Sequence, residues 1–158
     1  MKLQAGDILF LDTNILLTAT DVSRSHFDHA RMIFQCAVRA GLHLTISGQI
    51  IREYLVVATR ALEVNGLGLG REEALFNIGE FRRRAVVLDE TEEVSEKLIK
   101  IVSALPVTGK HIHDANVAAT MIVHAVPLLV TENEADYKLF DSIETVGLEQ
   151  LLRHLPEA

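Results

Sequence analysis

Apolar residues gather in short runs separated by longer stretches with helical spacing. The runs are Ile8-Leu9-Phe10-Leu11, His43-Leu44-Thr45-Ile46, Ala85-Val86-Val87-Leu88 and Pro127-Leu128-Leu129-Val130. Short apolar runs of this length bounded by polar residues predict strands, and the near-continuous ones predict strands covered on both faces. A last short strand is expected near Ile143–Val146. Between them, apolar positions recur every three or four residues. Asn14–Thr20 reads as a helical turn. Phe27, Ala30, Ile33, Phe34, Ala37 and Val38 mark a helix closed by Gly41. Ser47 is placed to cap a long helix carrying Ile50, Tyr54, Leu55, Ala58, Ala61 and Leu62. Arg71–Arg84 follows, then a helix capped by Thr91 with Val94, Leu98, Ile101, Val102 and Leu105 on one face. Pro106 and Gly109 break the pattern before His111–Ala125, apolar around much of its circumference and therefore expected to be central. Leu148–Leu152 ends the pattern as a helical turn. Strands alternating with helices of 12 to 18 residues imply an α/β fold with a mainly parallel sheet. The length of 158 residues suits one domain spanning 1–158.

Composition narrows the class without naming a chemistry. No apolar run reaches the roughly 18 to 20 residues that span a bilayer, and Met1-Lys2 leads straight into Leu3–Asp7 with no signal-peptide pattern. Cys36 stands alone, so no internal disulfide forms, and on a helical segment it reads as a small buried hydrophobe. A cytoplasmic protein is expected. Fifteen Lys and Arg against 22 Asp and Glu leave a net charge of −7. That balance argues against a surface dedicated to coating nucleic acid. It does not argue against a nuclease, because acids that hold divalent cations add to the negative count. Asn65–Gly70 is glycine-rich, but it follows a helix and lacks the Gly-Lys-Ser/Thr ending of a phosphate loop, so it reads as a flexible connection.

Most of the acids lie on solvated stretches, such as Glu72-Glu73 and Glu92-Glu93. Three do not. Asp12 sits between two apolar runs at the end of the first strand. Glu53 shares a helix face with Ile50 and Val57. Asp114 opens the largely apolar helix at His113-Asp114-Ala115. Each has an ordinary structural explanation: Asp12 as a helix cap, Glu53 paired with Arg52 or another cation, Asp114 favoured by its helix dipole. Their joint occurrence is less ordinary, because burying a carboxylate costs several kcal/mol or more unless it is paired or holds a metal. A fourth cluster, Val130-Thr131-Glu132-Asn133-Glu134-Ala135-Asp136-Tyr137, leaves a buried strand with a hydroxyl, an amide and several acids. In parallel sheets, sites form at the carboxyl ends of strands, where Asp12 and Thr131 both fall. Oxygen-only ligands of this kind suit Mg²⁺ or Mn²⁺ rather than zinc.

The segments Leu11-Asp12-Thr13-Asn14-Ile15-Leu16, Ile51-Arg52-Glu53-Tyr54, Lys110–Ala119 and Leu129–Tyr137 together resemble a PIN domain. More narrowly they resemble the toxin of VapBC-type toxin–antitoxin systems, in order and spacing over nearly the whole chain. The resemblance implies a three-layer α/β/α sandwich and an endoribonuclease that hydrolyses phosphodiesters with metal-activated water. Asp12, Glu53 and Asp114 would be the near-constant acids of the Mg²⁺ or Mn²⁺ site. Asp136 falls at the family's Asp-aromatic pair, and Asn133 where relatives carry Asn or Asp; either could complete the site. Thr13, Asn14 and Thr131 would orient the acids. A VapB-like antitoxin, an RNA substrate and a homodimer are the implied partners, with no membrane.

The chain departs from the pattern in being long, with Gly66–Gly70 as the place for the extra length, and in its acidic Glu132 and Glu134. Basic groups for phosphates are few: Arg52, Arg82-Arg83-Arg84 and Lys110, the arginine run reading first as a solvated helix end. His111-x-His113-Asp114 invites a histidine-metal or HD-phosphohydrolase reading, but residues two apart on a helix diverge and an HD domain is all-helical. A haloacid-dehalogenase-like phosphatase would need an acid at position 14, which is Asn. A PIN-like interaction module with little or no nuclease activity is the remaining alternative.

Overall fold

Leu9, Phe10 and Leu11 are wholly buried, as are Leu129 and Val130. Strands that lose every side chain from water belong at the centre of a parallel sheet covered on both faces. The computed structural model describes residues 3–155 and places them there. Five parallel strands run in the order β3-β2-β1-β4-β5: β1 (Ile8–Leu11), β2 (His43–Ser47), β3 (Ala85–Leu88), β4 (Leu128–Val130) and β5 (Glu144–Val146). In register, Phe10 pairs with Thr45 on one side and Leu129 on the other.

The helices are α1 (Thr13–Thr20), α2 (Phe27–Arg39), α3 (Gly48–Thr59), α4 (Arg71–Arg82), α5 (Glu92–Ala104), α6 (His111–Val123) and α7 (Leu148–Arg153). Strand order runs outward from β1 in both directions, and parallel crossovers are right-handed. Connections toward β3 and toward β5 therefore cover opposite faces. The helices group accordingly: α1 packs on α2 and α3, α3 on α4 and α2 on α7, whereas α5 packs on α6. The reversal of direction between β1 and β4 opens a crevice at their carboxyl ends, the usual place for a ligand in such sheets.

Two expectations about α3 need correction. Ser47 occupies its N-cap position, yet the buried Ser47 hydroxyl makes no hydrogen bond. The free amide of Gln49 is taken instead by the carboxylate of Glu90, whose other oxygen pairs with Arg52 at 3.1 Å. A full negative charge outcompetes a hydroxyl for the positive end of a helix. At its other end α3 stops at Thr59 rather than running to Leu62, which lies in a 3-10 turn (Leu62–Val64) after an extended Arg60.

The glycine-rich stretch that follows is an ordered cap, not a flexible connection. Gly66 N donates to Ala61 O, Leu67 N to Val57 O, Gly68 N to Arg60 O and Leu69 N to Ala58 O, at 2.8–3.0 Å. These bonds satisfy carbonyls that the end of a helix otherwise leaves without partners, and they leave those amides unable to cradle a phosphate. A Cβ on Gly66 would stand 1.9 Å from Arg60 O. Gly66→Ala is therefore expected to lower stability by at least about 1 kcal/mol, measured as a reduced urea midpoint. An unchanged midpoint would show that the turn yields freely.

Candidate active site

Asp12 ends β1 and starts α1, and only 7% of it is exposed. Its amide continues the sheet by donating to Val130 O at 3.0 Å. Its carboxylate accepts from Thr13 N at 2.7 Å, from the Asn14 side-chain amide at 2.8 Å and from the Thr131 hydroxyl at 2.7 Å. The cap and the site are thus one arrangement, since the residue that starts α1 faces the crevice. Burial pushes its pKa up from 3.8 to about 6, against the hydrogen bonds, with the charges of Glu53 and Asp114 adding to the rise.

Asn14 and Thr131 hold one another as well as Asp12. The Asn14 amide nitrogen also donates to Thr131 Oγ1 at 3.0 Å, and its oxygen accepts from Glu132 N at 3.1 Å. The start of α1 is thereby clamped to the loop after β4. Thr13 serves a different acid: its hydroxyl donates to Glu53 Oε2 at 2.8 Å. The other Glu53 oxygen accepts from the Gln49 amide at 2.7 Å. Arg52, a sequence neighbour that could have paired with Glu53, is engaged by Glu90.

Asp114 lies in the first turn of α6, half buried, with its Oδ2 3.0 Å from His111 Nδ1. Desolvation raises its pKa first, opposed by that imidazole and reinforced by the charges of Asp136 and Glu53. Asp136 sits in a 3-10 turn, Glu134–Tyr137, that packs against α6. Tyr137 is buried beneath these groups. Desolvation raises its phenol pKa, and the charges of Asp12, Asp114, Glu53 and Asp136 all push the same way. Hydrogen bonds tie the surroundings of these acids together: Thr13 links Glu53 to the start of α1 beside Asp12, and Gln49 links Glu53 to the His113 carbonyl beside Asp114. His111 and His113 diverge as their spacing predicts, His111 to Asp114 and His113 to within 3.7 Å of Glu53.

The remaining acids of this loop face elsewhere. Glu132 accepts from Leu148 N at 2.9 Å and meets His26 Nδ1 at 2.6 Å, while Glu134 accepts from the Thr145 hydroxyl. Both brace the loop against neighbouring elements. Asn133 takes part through its backbone, its amide donating to Thr131 Oγ1 at 3.0 Å, and its exposed side chain makes no hydrogen bond to the four acids.

A family model described as PIN domain matches residues 9–142. The chain belongs to the PIN-domain family. No curated protein matches it by sequence, but solved structures share its fold closely. A chain of DNA-bound VapBC from Salmonella typhimurium superposes with a TM-score of 0.68 at 19% identity, covering 90% of this chain and 98% of that one. VapBC2 from Rickettsia felis, bound to a promoter DNA fragment, gives 0.66 at 16% identity, with 89% and 98% covered. VapC20 from Mycobacterium tuberculosis, a sarcin-ricin loop cleaving toxin, gives 0.59 at 13% identity, with 77% and 86% covered. At these identities the likeness is one of fold. Among the described residues of this PIN domain, no helix is long and apolar enough to cross a membrane.

The donor set fits a hard divalent cation. Asp12, Glu53, Asp114 and Asp136 offer carboxylate oxygens only, and among the described residues no Lys or Arg forms an ion pair with any of them. Burial first, and the neighbouring acids second, raise the pKa values of Asp12 and Asp114. Among the described residues no three ligating side chains close on one point.

Sequence reasoning did not single out Gln49, Glu90 or His26. Gln49 and Glu90 carry no pattern of their own, because their roles depend on contacts 41 to 67 residues away in sequence.

Proposed function

We propose that this PIN domain is a Mg²⁺- or Mn²⁺-dependent endoribonuclease, the toxin half of a VapBC-type pair acting in the cytoplasm. The observation that carries the proposal is the hydrogen-bonded network at the carboxyl end of the sheet, in which Thr131 holds Asp12, Thr13 and Gln49 hold Glu53, and Gln49 reaches the His113 carbonyl beside Asp114, with no Lys or Arg pairing these acids among the described residues. Asp12, Glu53 and Asp114 would hold the ion. Asp136 would complete the site in preference to Asn133, whose side chain is exposed and makes no hydrogen bond to the acids. A bound divalent ion would supply Lewis-acid stabilisation of charge developing at phosphorus and lower the pKa of the attacking water. Thr131 and Asn14 fix the orientation of Asp12, and Thr13 fixes Glu53, so the donors need little reorganisation during reaction. The VapBC complexes and the sarcin-ricin loop cleaving toxin that share the fold support this reading and a VapB-like antitoxin as partner; the homodimer is proposed from the family resemblance alone.

A phosphatase acting through an Asp12 nucleophile is disfavoured by the same geometry. Asn14 donates to Asp12 where a proton-transferring acid would be needed. The deciding experiment is incubation of the purified protein with structured and single-stranded RNA in Mn²⁺. Internal cleavage leaving 5′-phosphate ends, abolished by EDTA and restored by Mn²⁺, is the expected outcome. Intact RNA across a panel of substrates, with no saturable Mn²⁺ binding, would favour an interaction module.

A further inference from the structure

Gln49 is a polar side chain only 4% exposed at the start of α3, facing the start of α6. Its amide nitrogen donates to Glu53 Oε1 at 2.7 Å and to the His113 carbonyl at 2.9 Å, and its oxygen accepts from Asn116 Nδ2 at 2.6 Å. The orientation of the amide follows from its partners. Turned over, its oxygen would face a carboxylate and a carbonyl while its nitrogen faced another amide nitrogen, so every contact would fail. Both hydrogens and the acceptor are thus committed.

Two of those bonds, to His113 and Asn116, join α3 to α6 on the opposite face of the sheet, and the third lies within α3. Glu53 lies one turn along α3 from Gln49, while His113 and Asn116 flank Asp114 on α6. The other Glu53 oxygen is held by Thr13, so the plane of that carboxylate is fixed from two sides. Asp114 has no such support within α3; its side chain meets His111 on its own helix.

We propose that Gln49 is a positioning residue that sets the separation of Glu53 from Asp114, and with it the affinity for the divalent ion; Asn116 acts by turning the Gln49 amide. The inference rests on the metal-site reading above. Groups that orient metal-binding side chains commonly change affinity by about 10- to 100-fold when removed, and a residue that orients one ligand while anchoring the helix of a second should lie within that range.

The test is Mn²⁺ titration by calorimetry on the whole protein, comparing the parent with Gln49→Met, which keeps the volume and length but loses all three bonds. Metal-free melting, recorded in EDTA, reports folding separately. The expected result is an Mn²⁺ affinity at least about tenfold weaker for Gln49→Met, with a smaller loss for Asn116→Leu. In RNA cleavage the Gln49→Met defect should shrink as Mn²⁺ is raised, leaving KM for RNA near the parent value; a merely structural role would not produce that rescue. A folded Gln49→Met that binds Mn²⁺ as tightly as the parent overturns the inference while leaving the nuclease reading intact. If Gln49→Met does not fold, Asn116→Leu decides: weakened Mn²⁺ binding supports the inference and unchanged binding overturns it. A parent that binds no Mn²⁺ overturns both readings.

Discussion

Asp114→Asn is expected to slow RNA cleavage by roughly two to three orders of magnitude, the size of effect seen when one preorganised electrostatic group is removed, while leaving the fold intact. Asp114 is partly exposed and makes its one side-chain hydrogen bond to His111, so little of the protein's packing depends on it. Its charge is strained by burial and by Asp136 and Glu53, and an amide of the same shape relieves that repulsion. The measurement is initial cleavage rate at saturating Mn²⁺, with melting in EDTA as the folding control. A variant that cleaves as fast as the parent would remove Asp114 from the chemistry. A variant that fails to fold would contradict the exposure and bonding described for it.

The second large effect concerns stability and pH. In the metal-free native state Asp12 holds its proton up to about pH 6, against 3.8 as the reference for the unfolded chain. Below about pH 3 the group is protonated in both states and imposes no penalty. As pH rises through this window the unfolded chain gives up the proton first, so the native state loses stability, until Asp12 is ionised in both. A shift of about two units corresponds to about 3 kcal/mol. Asp12→Asn cannot ionise and escapes this loss, whatever fixed cost its altered hydrogen bonding carries. Urea unfolding in EDTA should therefore show the stability of Asp12→Asn, relative to the parent, rising by about 3 kcal/mol between pH 3 and pH 7. Saturating Mn²⁺ should reverse the trend by stabilising the parent alone. A difference that stays flat across this range would mean that Asp12 is ionised at little cost in the fold.

Sequence reading reached the strands and the order of the helices, and singled out the four acids as candidates, because each leaves a local trace. Leu9–Leu11 and Leu128–Val130 are apolar throughout since both faces are covered, and Asp12 stands out against that background. The reading failed where one long-range partner displaced a local one. Ser47 has the chemistry of a cap, but Glu90 arrives from the loop after β3 and takes the Gln49 amide. Gly66–Gly70 has the composition of a linker, yet its amides meet the carbonyls at the end of α3, which no local propensity encodes. Glu132 and Glu134 stand out in the sequence only as an acidic departure from the pattern; their bracing of α7 and β5 depends on partners that no local pattern encodes. Gln49 was invisible because a buried amide is defined by its three partners, two of them on a helix more than sixty residues away.

Asp12 receives two of its hydrogen bonds from residues 13 and 14 but a third from residue 131, and the last of the four acids is residue 136. No fragment that ends before β4 contains the clamp or the complete set of carboxylates. On the nuclease reading proposed above, a chain emerging from the ribosome would therefore carry no complete centre until residue 136 has been made and β4 has joined the sheet beside β1.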